Sequence, residues 1–144
     1  MATRANEARR VLESPPRRLR HLIELLAPDF SPTTKPSPDW DLFSTIGENT
    51  REASLVAKQI AGTSSPIVRA GLLVALKACE AQLAQKRLLI QEYRERLEHD
   101  TRALILDPLD APSAFSLAEQ WTFLDRLAAS LRKAETELKT AGSA

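Results

Sequence analysis

A cysteine within reach of a histidine is the simplest nucleophile a small chain can build, and this one has Cys79, His21 and His99. The two side chains must meet so that the imidazole can draw off the thiol proton. His99 lies twenty residues beyond Cys79 in what reads as one continuous helix, roughly 30 Å away at about 1.5 Å per residue. His21 reaches Cys79 only if a separate segment docks. Cys79 also holds an apolar seam position, where a thiol behaves as a small hydrophobe. Core packing is the simpler reading. Zinc needs several Cys or His at close spacing, and one Cys with two His does not supply them.

The His99-Asp100 step is similar to the adjacent pair of metal-dependent phosphohydrolases, but two histidines are too few for that constellation. Glu92, Glu95 and Glu98 are interleaved with Arg94 and Arg96, which reads as a solvated charged face rather than an acid/base pair. With four glycines in 144 residues, no Gly-rich phosphate loop, Walker lysine or GxSxG elbow is present. The sequence therefore predicts no catalytic, cofactor-binding or metal-ligating residue, and no enzyme.

Charge offers a second kind of chemistry. Arg4, Arg9, Arg10, Arg17, Arg18 and Arg20 cluster near the N-terminus, and arginine's planar fork suits phosphate and carboxylate. Together with Lys86, Arg87 and Arg94 they would form a module for a polyanion: nucleic acid, an acidic protein surface or lipid. No aromatics are interleaved to stack bases, and Glu7, Glu13 and Glu24 dilute the field, so nucleic acid is disfavoured. A solvated arm is the alternative.

Ser14-Pro15-Pro16-Arg17 has the form of a proline-directed phosphorylation site, with Ser31, Ser37 and Ser65 as plainer Ser-Pro steps. Ser-Pro also punctuates loops. A phosphate at Ser14 would add about −1.5 to −2 charge to a basic arm, and one at Ser65 would sit at a helix N-terminus. Trp40-Asp41-Leu42-Phe43 is similar to short W-x-x-F peptides that dock onto adaptor domains; one helical turn facing a core is the rival reading.

The elements that must carry these residues are helical. Residues 66–106 contain no proline after Pro66 and no glycine after Gly71. Leu76, Cys79, Leu83, Ile90, Tyr93, Leu97 and Leu104 follow an alternating three-and-four spacing along one seam. Unbroken, this is a helix about 60 Å long at roughly 1.5 Å per residue, with a stripe it cannot bury alone. Its outward side, judged from the pairs Glu92/Arg96 and Glu98/Arg102, reads as ordinary solvated surface.

Ser113 is the expected cap of a last helix through about residue 140, in which Leu117, Leu124, Leu131 and Leu138 recur at seven. Leu127, Ala134 and Ala141 accompany them. The short Pro-containing connection at 107–112 implies that this helix returns antiparallel. A third helix is expected over 39–61, capped by Ser37 or Asp39 and stopped by Gly62. Phe43, Ile46, Thr50, Ala53, Ala57 and Ile60 form its seam.

Upstream, residues 28–38 hold four prolines and read as a linker, with Phe30 the residue that could be pinned. A short helix at about 16–27 presents Leu19, Leu22, Ile23 and Leu26 on one face, and a polar helix is conceivable at 2–13. The fold class is all-α: an elongated antiparallel hairpin or coiled coil of 66–106 with 113–140, plus a packed helix at 39–61 and the short N-terminal one. As domains, 1–38 is a basic Pro-rich arm and 39–141 a helical bundle.

Hydrophobic residues make up 43% and aromatics 5%, so the core is aliphatic, and a net charge of +1 implies no bulk attraction to polyanions. The arm holds seven Lys/Arg against four Asp/Glu. A lone cysteine suits a reducing, intracellular compartment, nuclear or cytoplasmic. The Arg-bearing 2–12 stretch leaves a mitochondrial presequence open, although Glu7 opposes it. No apolar run approaches about 18 residues, so no membrane span is expected.

These features describe a scaffold or adaptor subunit of a multiprotein complex, with Ser-Pro sites as a switch. Its partners would be other helical subunits, a hetero-complex being favoured over a homodimer. The partner-binding residues would be Leu19, Leu22, Ile23, Leu26, Trp40, Phe43, Leu117, Leu124, Leu131 and Leu138. The layout (a Ser-Pro arm, one long helix, a leucine seam) is similar to small subunits of eukaryotic kinetochore, transcription-mediator or tethering complexes. No motif ties the chain to any one of them.

Overall fold

The computed structural model describes residues 14–32 and 40–143, the side chain of Trp40 excepted. The expectations for the helix at 2–13, Arg4, Arg9, Arg10, Ser37 and Asp39 lie outside the described residues. Four helices follow in order: α1, Pro15–Leu26; α2, Trp40–Gly62; α3, Pro66–Arg102; and α4, Ala111–Ser143. With no strand among the described residues, the chain is all-α.

Proline and serine set the starts. Prolines occupy the first turn of α1, where a missing N–H costs nothing, and Arg18 N–H closes that turn on the Ser14 carbonyl at 2.9 Å. At the head of α3, Ser65 Oγ accepts the Val68 N–H at 3.4 Å, as the Ser-Pro spacing predicts. The helices pack as two compact units, α1 with residues 93–125 and α2 with residues 66–92 and 126–143.

In the first unit Leu19, Leu97, Ala114, Leu117, Ala118, Trp121 and Leu124 are buried together. The end of α3 and the start of α4 run antiparallel, tied by Tyr93 OH donating to Gln120 Oε1 at 3.2 Å and Trp121 Nε1 donating to Thr101 Oγ1 at 3.0 Å. Phe30 is pinned as expected, its ring 6.2 Å from that of Phe115. In the second unit Ile46, Ala53, Val56 and Ile60 of α2 share the core with Leu76, Cys79, Leu83 and Ile90 of α3. From α4 come Leu127, Leu131, Ala134 and Leu138.

Three boundaries of the last two helices and two seam residues, Leu104 and Phe43, differ from expectation. The helix expected over 66–106 stops at Arg102. Pro108 lacks an N–H and disfavours helix at the residue before it, and the peptide between Asp107 and Pro108 is cis. Residues 103–110 instead form a tight connection, with Asp110 N–H donating to the Ile105 carbonyl at 3.0 Å. Leu104 therefore leaves the helix.

The last helix begins at Ala111 rather than at 113 and runs to Ser143 rather than 140. Its cap is Asp110, whose carboxylate accepts the Ser113 N–H at 3.3 Å and the Ser113 hydroxyl at 2.7 Å. Phe43, expected on the α2 seam, is 46% exposed. At about 100° per residue it lies roughly 60° off the Ile46–Ile60 line, while Leu42 lies nearer and is half-buried.

Candidate functional site

Helix α3 has two apolar faces, and among the described residues the chain's own helices cover one of them. Leu76, Cys79, Leu83 and Ile90 point into the second unit. On the opposite side Ile67, Val74, Ala81 and Leu88 recur at seven, and Gly71, Ala78, Gln85 and Glu92 follow each by four. This is an unbroken heptad pattern over about 38 Å of helix. All eight positions are exposed.

Ile67 is 86% exposed, Val74 73% and Leu88 66%, values that burial against the chain's own helices would have lowered. Val68 at 52% and Leu89 at 41% widen the strip. Between Ile67 and Leu88 the line carries no charge, Gln85 being its one polar side chain. Lys77 and Glu80 flank it on one side, 3.7 Å apart. A line of exposed aliphatic side chains of this length is uncommon on a surface that faces water. The sequence signal was available, as a second heptad series offset from the first, but the ion-pair spacing further along the helix masked it.

The seam residues named from sequence as partner-binding lie in the chain's own interior. Leu117, Leu124, Leu131 and Leu138 are 7%, 0%, 2% and 0% exposed, the first pair in the core of the first unit and the second pair in that of the second. That reading is corrected: a leucine already enclosed by its own helices has no surface left to offer. On α1, Leu19 is likewise buried, Leu22 and Ile23 are half-buried, and Leu26 is 53% exposed. Leu19 and Leu22 join Leu104, Leu106 and Trp121 along a groove of about 480 Å³ in the first unit.

Arg17, Arg18 and Arg20 are exposed on α1. Arg20 is engaged, donating to Glu119 Oε1 at 3.3 Å and Thr122 Oγ1 at 3.1 Å, which subtracts from the basic cluster. Lys86 and Arg94 are half-buried, and Arg87 pairs with Glu135. Ser14 and Ser65 are half-buried and Ser31 is exposed.

Cys79 is 2% exposed; burial, and secondarily the negative charge of Glu52, push its thiol pKa up, which opposes the reactive thiolate. His21 belongs to the first unit and Cys79 to the second. Among the described residues no three His, Cys, Asp or Glu side chains gather in a way that could hold a metal ion. No helix among them is long and apolar enough to cross a membrane.

No family model matches the chain, and neither the curated proteins nor the solved structures include a significant match to it.

Proposed function

We propose that the protein is a non-enzymatic helical scaffold or adaptor subunit that binds a partner helix along the outward face of α3. The observation that supports this is the uncharged heptad line from Ile67 to Leu88, every position of which is exposed, Ile67, Val74 and Leu88 by 66% or more. Covering an exposed Val, Ile or Leu fully is worth about 1.5–3 kcal/mol each, so a partner helix seated here gains from several such side chains at once. The mode is helix-in-groove or helix-on-helix docking, read out at i, i+4 and i+7.

Ser65, which caps α3 two residues before Ile67, is the Ser-Pro step through which a phosphate would act on this face. Negative charge there would reinforce the helix N-terminus and alter docking at Ile67 and Val68.

The test is purification of the tagged full chain from its source, beside a Val74→Glu variant. A stoichiometric companion present with the native chain and lost with the variant is the expected result. A companion retained equally by both would remove the α3 face from the account.

A further inference from the structure

We propose that the occupant of the α3 face is a second copy of this chain, packed antiparallel about a two-fold axis that passes between Cys79 and Glu80. This rests on reading that face as a docking surface and names what docks there.

The argument is one of register. In an antiparallel helix pair the two heptad series face one another, so that residues at 67, 74, 81 and 88 meet those at 71, 78, 85 and 92. With the axis placed as stated, Gly71 of each copy lies opposite Leu88 of the other. Ala78 lies opposite Ala81, and Val74 opposite Gln85. The bulky side chain meets the missing one, and the centre holds only alanines, which let two helices approach to about 8 Å.

The flanks agree with the same axis. Antiparallel pairing brings each flank against the identical flank of the second copy. On one side Val68 faces Leu89, both exposed aliphatics. On the other, Lys77 of each copy comes alongside Glu80 of the other, turning two separate pairs into a four-charge cluster of alternating sign. Both side chains have room to do so, at 80% and 43% exposure. At the ends Glu92 comes beside the N-terminus of the other copy's α3, where negative charge is favoured.

A parallel dimer gives none of this. It sets Gly71 against Gly71 and Leu88 against Leu88, leaving a void at one level and crowding at another. It also separates Lys77 from Glu80 on opposite flanks. The same axis sets Ile67 against the stem of Glu92 at each end, so the apolar contact is confined to the span from Gly71 to Leu88, where size and flank charge agree in the antiparallel sense.

The interface is one helix wide and about 38 Å long, at the small end of specific contacts, so dissociation on dilution belongs to the proposal. The experiment is sedimentation of the full chain over a wide concentration range, with far-UV circular dichroism of each variant to show that its helices persist. The native chain should move from one to two times 16.0 kDa as concentration rises. Val74→Glu and Leu88→Lys, both at exposed positions, should stay at the lower mass while keeping native helicity.

Lys77→Glu or Glu80→Lys alone should shift the equilibrium at least several-fold toward monomer, and the two together should restore it, because the swap preserves every pair across the axis. A native chain that stays monomeric throughout overturns the second copy as occupant. If Val74→Glu still abolished a stoichiometric companion in that case, the docking face itself would stand. A dimer unchanged by Val74→Glu and Leu88→Lys overturns both.

Discussion

Trp121 donates its indole N–H to Thr101 Oγ1 at 3.0 Å, and the Thr101 hydroxyl donates in turn to the Leu97 carbonyl at 2.6 Å. A single hydroxyl thus satisfies the buried polar edge of Trp121, a large aromatic of the first unit's core that is 4% exposed. Replacing Thr101 by valine keeps the shape and strands the indole N–H, which costs about 1–3 kcal/mol. Urea denaturation should show that loss as a lower midpoint at unchanged slope. In a Trp121→Phe background the same valine should cost far less, since no N–H remains to strand. Equal costs in both backgrounds would mean that the hydroxyl matters for α3 alone.

Charge placed on the two kinds of leucine and valine stripe should have opposite consequences. Leu131 is 2% exposed within the second unit, and glutamate there would bury an unpaired carboxylate. Leu131→Glu should lose more than about 4 kcal/mol, and with it most of the native helicity at room temperature. Val74→Glu, at 73% exposure, should leave the urea midpoint of the dilute chain within about 0.5 kcal/mol of native. Circular dichroism and urea titration at low concentration separate the two. A Leu131→Glu chain that folds normally would show that this leucine is not core.

Periodicity reports burial, and that is why the inner seams were legible from residues alone. Leu76, Cys79, Leu83, Ile90, Tyr93 and Leu97 are all buried, as are Leu117, Leu124, Leu131 and Leu138. What periodicity does not report is whose helix does the covering. Helix α3 carries two stripes, and only the packing of α2 and α4 decides that the one through Leu83 is interior while the one through Val74 faces out. The ends of helices were less legible for a different reason. Asp110 and Ser113 are both good caps, and the choice between them turns on whether Pro112 falls before the helix or within its first turn.

Cys79 should make stability fall at alkaline pH. Burial raises the pKa of its thiol in the folded chain above the ordinary 9.0, with Glu52 adding to the rise. The unfolded chain therefore gives up this proton first, and it binds fewer protons than the folded chain as pH climbs. Stability is complete below about pH 9 and declines above it until the folded thiol also ionises. Comparison of the native chain with Cys79→Ala isolates the contribution, because lysine and tyrosine titrations are common to both. The native chain should show the steeper decline as pH rises above about 9. Parallel slopes would indicate that the thiol ionises as freely in the folded chain as in the unfolded one. In the same samples at neutral pH, a thiol-disulfide reagent should label Cys79 slowly until denaturant is added.

Asp110 should account for most of the stability at the start of α4, and Ser113 for little. The carboxylate holds both the backbone N–H and the hydroxyl of Ser113, and it sits where the helix dipole favours negative charge. Asp110→Ala removes all three effects and should cost about 0.5–2 kcal/mol. Asp110→Asn keeps the hydrogen-bond acceptor and should recover all but about 0.3–1 kcal/mol of it. Ser113→Ala leaves its backbone N–H bonded to Asp110 and should cost only a few tenths of a kcal/mol. Urea midpoints of the three variants give the order directly. If Ser113→Ala proved as costly as Asp110→Ala, the serine hydroxyl rather than the aspartate would be what starts this helix.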